Sequence, residues 1–253
     1  MRATEVPLGH LALPVAPPVS LPVSLPELAA GSATHPGVVL IPDVRGVYDH
    51  FRELAGRLAA EGFAVLVLDL YRREGPPRIA DAAAALRWIR ELSDPSVLAD
   101  VQEARDFLAA HPAVAGRPVG VIGFCMGGQY ALLAACGCRG LGACVSFYGM
   151  LRYEAGLDPA KKPRSPLQAI PDLRCPVLGL YGEEDGLIPV SDVRALEKAL
   201  ALGTQPHEVR LYPGAGHAFV NDSRPEAYRP EAARDAWQRM LDFLRRHLGA
   251  VAP

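Results

Sequence analysis

The sequence lacks any apolar stretch of the ~20 residues that a helix needs to cross a bilayer. It also lacks a strong excess of charge, since the formal net charge is −2, so no large electrostatic field would attract nucleic acid or an anionic membrane. At the N-terminus no basic segment leads into an unbroken apolar run, and prolines interrupt the residues between 11 and 28. We therefore expect a cytoplasmic protein that is not secreted and that binds neither nucleic acid nor a membrane.

Cysteine is scarce, and the five cysteines are an odd number, which does not suggest a disulfide framework. Cys136 and Cys138 form a close pair, but no second pair or neighbouring histidine completes a zinc site. We interpret both as small buried apolar residues, and we predict no metal site.

Apolar runs of strand length alternate with helical segments along the chain of 253 residues. Runs of this kind are typical of strands buried on both faces of a parallel sheet. We therefore predict one α/β domain over residues 1–253, with a mostly parallel, doubly wound sheet and helices on both faces. The predicted strands are Val38–Ile41, Ala64–Leu68, Val119–Ile122, Val177–Leu180 and Val209–Tyr212. The predicted helices are His50–Glu61, Val97–Ala110, Gly127–Cys136, Val190–Leu202 and Pro230–Leu248. Asp49 is the predicted N-cap of the first helix, and the second is predicted to start near Asp94–Pro95.

Two segments depart from this alternation. Residues 1–36 are rich in proline, which excludes a helix and favours short strands at a sheet edge. Residues 151–171 contain four prolines and no clean period, which indicates a surface loop or a small cap that borders a pocket.

The most informative motif is Gly-x-Cys-x-Gly at residues 123–127, between a predicted strand and a helix of small and apolar residues. This is the pattern of the strand–turn–helix elbow that carries the nucleophile of α/β-hydrolases, with cysteine in place of serine. The N-terminus of the helix favours a thiolate at Cys125, and the backbone N–H of Met126 is placed to donate to an oxyanion. The alternative is a buried cysteine in a glycine-rich turn.

A nucleophilic thiol needs a base, and the base needs an acid that orients it. Asp185 follows the predicted strand Val177–Leu180, and His217 lies in a glycine-rich loop after the next strand. The order nucleophile, acid, histidine is that of α/β-hydrolases. Three alternatives stay open: Asp185 caps the next helix, Glu183 or Glu184 is the acid instead, or His217 is a loop histidine bonded to backbone.

With these motifs the sequence resembles the dienelactone hydrolase family. The resemblance rests on Gly-Phe-Cys-Met-Gly-Gly (123–128), Gly-Glu-Glu-Asp-Gly-Leu-Ile-Pro (182–189) and Gly-Ala-Gly-His-Ala-Phe (214–219), and it extends over roughly residues 37–248. It implies the α/β-hydrolase fold, a Cys125–His217–Asp185 triad, no metal and no cofactor. It also implies that the backbone N–H of Val44 is the second oxyanion donor.

The sequence departs from the family pattern at two places. The family has a glutamate that helps to generate the thiolate, whereas this chain has the shorter Asp43, which either activates the thiol or is a turn residue bonded to its own backbone. The family members specific for dienelactone hold the substrate carboxylate with an arginine, whereas this chain has Asn221. Dienelactone itself is therefore not the expected substrate. Arg45 is either an alternative site for an anionic group or part of a surface ion pair.

These features predict a carboxylic-ester hydrolase that opens a small-molecule ester or lactone through a thioester on Cys125, as a monomer or homodimer. A glutamine-amidotransferase-like cysteine enzyme is one alternative. A non-catalytic binding module whose Cys125 senses oxidants is another.

Overall fold

In the computed structural model, the described residues are 9–12, 20–22, 34–72, 75 and 77–249. Within them the chain forms one eight-stranded sheet with the order β2-β1-β4-β3-β5-β6-β7-β8. The six strands from β3 to β8 are parallel, and β1 pairs antiparallel with both β2 and β4. The strands are β1 Gly9–Ala12, β2 Ser20–Pro22, β3 Gly37–Ile41, β4 Ala64–Leu68, β5 Val119–Phe124, β6 Leu141–Phe147, β7 Val177–Gly182 and β8 His207–Tyr212.

The central strands β3, β4, β5 and β7 are buried along their whole length. Burial of every residue in a strand requires cover on both faces, which the helices provide. The helices are α1 Asp49–Ala60, α2 Ala82–Glu91, α3 Asp94–Ala110, α4 Met126–Gly137, α5 Pro166–Ala169, α6 Val190–Ala201 and α7 Pro230–Leu248, and a 3₁₀ turn covers Ile170–Asp172. The predicted fold class, a mostly parallel doubly wound sheet, is confirmed.

The helix boundaries differ from prediction in one instructive place. Asp49 was expected to cap α1, but it lies inside the first turn, and the N-cap is Tyr48, whose side chain makes no capping bond. The Asp49 carboxylate instead pairs with Arg52 at 2.8 Å, one turn along the helix. The prediction of Asp49 as the N-cap is therefore wrong.

The N-terminal strands β1 and β2 form one edge of the sheet, and the rest of residues 1–33 lies outside the described part of the chain. Residues 151–165 contain no regular helix or strand and lead into α5 and the 3₁₀ turn. The division of the chain into a single domain with a cap stays a prediction. No helix in the described segments is long and apolar enough to cross a membrane.

Candidate active site

Cys125 lies in the sharp turn between β5 and α4, with backbone angles φ 56° and ψ −116°. An L-residue adopts a positive φ only at a cost, so the surrounding packing must impose this conformation. The turn is too tight for side chains at its flanks. A Cβ on Gly123 would lie 1.9 Å from the carbonyl oxygen of Gly127, and one on Gly127 would lie 2.1 Å from that of Ile41.

Three non-glycine residues of the described chain have positive φ, namely Cys125, Tyr148 and Ala218. All three line the same cavity, which has a volume of about 360 Å³ and also contains His217. Backbone strain of this kind concentrates at functional sites, where the fold holds groups in place against local preference. The strain and the cavity therefore mark the same location as the sequence motifs.

The carboxylate of Asp185 lies beside the imidazole of His217. Oδ2 of Asp185 is 2.8 Å from Nδ1 of His217, and Oδ1 accepts hydrogen bonds from the backbone N–H groups of Leu187 and Ile188. The Asp185 side chain is fully buried, whereas the adjacent Glu183 and Glu184 are exposed. The geometry therefore favours Asp185 over its neighbours as the acid, and the N-cap of α6 is Pro189 instead.

Backbone contacts hold the loop of Asp185 against the loop of His217. The N–H groups of Glu183 and Glu184 donate to the carbonyl oxygens of Tyr212 and Ala215. Since Tyr212 ends β8 and Ala215 lies two residues before His217, the two loops cannot shift independently. The ring of Tyr148 packs on the imidazole with a centroid distance of 5.0 Å.

The side chain of His217 is 18% exposed, and its partial burial by itself disfavours the charged ring. The electrostatic interaction with Cys125, together with hydrogen bonds to Asp185 and Cys125, outweighs that effect and raises the pKa of His217 to about 10. Nε2 of His217 is buried and makes no hydrogen bond of standard geometry among the described residues, and Cys125 is the group that interacts with this side of the ring. The ring therefore has one nitrogen fixed by Asp185 and the other available to a group in the cavity.

The predicted oxyanion donors belong to two different segments, the start of α4 and the loop after β3. Met126 is the first residue of α4, so its N–H has no acceptor within the helix. Val44 lines the cavity, and its carbonyl oxygen accepts a hydrogen bond of 2.8 Å from the hydroxyl of Tyr71. The Tyr71 ring also packs against Gly46, where a Cβ would lie 2.8 Å from it. Sequence reasoning gave Tyr71 no role, and it positions the Val44 loop.

Both carboxylate oxygens of Asp43 bond to its own loop. Oδ1 accepts from the backbone N–H of Arg45 at 2.8 Å, and Oδ2 accepts from the hydroxyl of Tyr48 at 3.0 Å. The Tyr48 hydroxyl also accepts from the amide of buried Asn221 at 3.0 Å. Burial and the Asp43 charge raise the pKa of Tyr48 to about 12. These contacts match the turn interpretation of Asp43, although the residue also lines the cavity.

Two arginines line the cavity that contains Cys125, Arg45 and Arg224. Arg45 is exposed and makes no ion pair within 4 Å in the described part of the chain, while Arg224 bonds to Glu226 at 2.9 Å. Sequence reasoning considered Arg45 but missed Arg224. Arg224 follows His217 closely in the chain, which could have suggested it. The loop between them is irregular, however, so the sequence does not show where the Arg224 side chain points.

The other four cysteines, Cys136, Cys138, Cys144 and Cys175, are buried. Burial raises the pKa of Cys136 and Cys175 to about 12, and it raises that of Cys138 to about 11. The pKa of Cys144 is also well above its usual range. Cys125 is the one cysteine of the five that is partly exposed.

Comparison with known proteins identifies the family of the chain. The sequence model of the dienelactone hydrolase family matches residues 26–248. A carboxymethylenebutenolidase of Rhodococcus opacus is 34% identical over 226 residues, which cover 88% of this chain and 86% of the relative. A Bradyrhizobium protein provisionally named a 2-oxo-3-(5-oxofuran-2-ylidene)propanoate lactonase is 36% identical over 213 residues, which cover 84% of each chain.

Comparison of the structure with solved structures also indicates the dienelactone hydrolase family. The crystal structure of a Klebsiella pneumoniae protein provisionally named a dienelactone hydrolase superposes with a TM-score of 0.79 at 32% identity, covering 95% of this chain and 98% of that one. The predicted resemblance and the predicted class of enzyme, a carboxylic-ester hydrolase, are thus confirmed. The chain belongs to the dienelactone hydrolase family and is a hydrolase with the α/β-hydrolase fold.

Proposed function

We propose that the protein opens an ester or lactone bond by nucleophilic attack of Cys125, with His217 and Asp185 as the other members of a triad. The observation that carries the proposal is the buried Asp185 carboxylate bonded to Nδ1 of His217, whose ring lines the same cavity as Cys125 and interacts with it. A fixed acid, an oriented imidazole and a nucleophile in one cavity are the components of covalent acyl transfer.

In the first half of the reaction, Sγ of Cys125 bonds to the ester carbonyl carbon and the oxygen becomes an oxyanion. The N–H groups of Met126 and Val44 stabilise that charge, and one such donor is typically worth about 10²–10³ in rate. The C–O bond then breaks and the leaving oxygen takes the proton from the His217 imidazolium. This leaves a thioester on Cys125 and a neutral imidazole.

In the second half, Nε2 of His217 takes a proton from water as the water oxygen attacks the thioester carbonyl. The thiolate leaves, the acid product departs and the thiolate–imidazolium pair is restored. Because a thiolate is itself a good leaving group, the first intermediate returns to substrate unless the other leaving group is also stable. Enol esters, enol-lactones and aryl esters are therefore the favoured substrates, and amides are disfavoured.

The test is Cys125→Ala and Cys125→Ser, assayed on activated aryl esters and enol-lactones. We expect the alanine variant to lose turnover and the serine variant to retain little, because a serine hydroxyl is a much weaker acid than a thiol and a poorer nucleophile in this site. Cys175→Ala is the matched control, since that thiol is buried away from the cavity. Full activity of a folded Cys125→Ala protein would contradict the proposal, and peroxide reactivity without any ester turnover would favour a thiol sensor.

We also propose that Arg45 and Arg224 bind an anionic group of the substrate in place of the arginine that the family has at position 221. Both line the cavity, and a guanidinium has five N–H donors, of which the contact with Glu226 uses only one on Arg224. Arg45→Gln and Arg224→Gln should raise KM for a lactone that carries a carboxylate more than for its methyl ester. An equal effect on both substrates would argue against this role.

A further inference from the structure

A second cavity, with a volume of about 290 Å³, lies next to the cavity that contains Cys125. Four apolar residues line both cavities, so the two are adjacent and share a wall: Leu86 and Ile89 from α2, Met150 after β6, and Leu187 after Asp185. Each volume is near the lower end of the roughly 300–1,000 Å³ found for small-molecule pockets. The two together would accommodate a substrate larger than either alone.

Leu187 is the most informative residue of the shared wall. It is 43% exposed, and the only other exposed large hydrophobic residue, among those whose burial is described, is Leu202. Its backbone N–H donates to Oδ1 of Asp185 at 2.8 Å, which fixes the leucine relative to the predicted triad. An apolar side chain held in solvent between two cavities is well placed to contact an apolar part of a ligand.

The lining of the second cavity also carries hydrogen-bond donors. Its lining includes three cationic side chains, each already paired with a carboxylate. The pairs are Arg90 with Glu154, Arg152 with Asp192 at 2.8 Å, and Lys162 with Asp94 at 2.7 Å. Each carboxylate neutralises the positive charge of its partner. The guanidinium groups of Arg90 and Arg152 each use a single nitrogen in the pair, so their other N–H groups remain as donors. Such a lining suits neutral acceptor groups, such as amide or ketone oxygens, better than a free anion.

We propose that the two cavities form one bipartite site, an inference that rests on the function proposed above. The scissile carbonyl lies beside Cys125, an apolar segment of the substrate crosses the wall at Leu187, and a terminal acceptor group binds in the second cavity. The substrate class is therefore an ester or lactone with an extended substituent that ends in a hydrogen-bond acceptor. A small unsubstituted lactone fills only the first cavity.

Gly186 makes a direct test practical, because it lines the second cavity and not the first. A Cβ added there would have no atom within 4 Å, and the φ angle of Gly186 is outside the left-handed region. Gly186→Phe should therefore fill the second cavity without backbone strain, and Gly186→Ala is the matched control that leaves most of it open.

The assay compares p-nitrophenyl acetate with two longer esters that end in a primary amide, one extended on the acyl side and one on the alcohol side. The measured quantity is the ratio of kcat/KM for a long ester to that for the acetate. We expect Gly186→Phe to lower this ratio for at least one long ester by about tenfold or more, within the range for lost pocket contacts. Gly186→Ala should change it little, and an unchanged ratio in Gly186→Phe would overturn the proposal.

Leu157→Trp gives a second way to fill the cavity if Gly186→Phe folds poorly. Leu157 lines only the second cavity and is half-buried in the irregular segment 151–165, where a larger side chain is tolerated. Cys125→Ala separates this inference from the proposed function. If acetate turnover survives in Cys125→Ala, the proposed function fails, whereas Cys125-dependent turnover with an unchanged ratio in both filled variants refutes the bipartite site alone.

Discussion

Replacing Asp185 by asparagine keeps the shape of the side chain but changes the proton that it presents to His217. In the structure Oδ1 of Asp185 accepts from two backbone N–H groups, those of Leu187 and Ile188, while Oδ2 faces Nδ1 of the imidazole. The asparagine oxygen must stay with the two N–H groups. The opposite orientation would leave buried donors facing an NH₂ group, at a cost of about 1–3 kcal/mol for each unsatisfied donor.

The amide NH₂ of Asp185→Asn therefore faces His217 and donates to Nδ1. The proton of a neutral ring is then on Nε2, the nitrogen that must accept one from water. The negative charge that helps to hold the imidazolium is lost as well. The corresponding change in a serine triad lowers kcat by about 10⁴ through the wrong tautomer. We expect a loss of kcat/KM between about 10² and 10⁴, the usual contribution of a positioned acid–base group.

The measurement is kcat/KM on an activated aryl ester, with circular dichroism to establish that each variant is folded. Glu184→Gln is the matched control, because it removes a carboxylate from the adjacent but exposed position. The control should behave like the unmodified protein. A folded Asp185→Asn protein with unimpaired turnover, or equal damage from Glu184→Gln, would refute the assignment of Asp185.

Three further predictions follow from the same contacts. Iodoacetamide at neutral pH should modify Cys125 and abolish turnover while Cys144, whose pKa burial raises well above the usual range, stays unmodified in peptide mass spectra. The pKa of His217 is raised to about 10, so the imidazolium persists below that pH and is lost above it. The rate should therefore fall as the pH rises through about 10, and NMR titration of Cys125→Ala should show a lower His217 pKa, because the thiolate charge is gone. Lys162→Met should lower the free energy of unfolding in urea by about 3–5 kcal/mol, because it leaves the buried Asp94 carboxylate without its cation, and Lys162→Met combined with Asp94→Leu should recover part of that loss.

Much of the fold could be predicted from the sequence because a parallel sheet leaves a strong signal. Strands buried on both faces are continuous apolar runs, and β4 and α7 were predicted with their observed bounds. The strand Leu141–Phe147 and the helix Ala82–Glu91 were not predicted. The strand contains Gly142, Cys144 and Ser146, which weaken the apolar run, and the helix is only 10 residues long.

The predicted triad residues could be identified because each lies where a strand ends, and the carboxyl ends of parallel strands meet at one edge of the sheet. Cavity-lining residues could not be identified in this way. Arg224 and several residues of the second cavity, such as Arg152 and Leu157, lie in irregular loops, in which a side chain's direction has no periodicity. The buried ion pair of Lys162 and Asp94 could not be predicted from the sequence either, because the two residues are 68 positions apart in the chain.

The two departures from the family pattern are linked in the structure through Tyr48. Its hydroxyl donates to Asp43 and accepts from Asn221, which is itself fixed by bonds from the backbone N–H and the hydroxyl of Ser223. Asn221 is only 2% exposed, so an arginine at this position would have to displace Tyr48 or bury an unpaired guanidinium. Asp43 and Asn221 therefore form one network, because the Tyr48 hydroxyl donates its hydrogen to Asp43 and accepts a hydrogen from Asn221. With Asn221 held in this network, the arginine side chains that line the cavity are Arg45 and Arg224, which is why the proposed binding of a substrate anion rests on them.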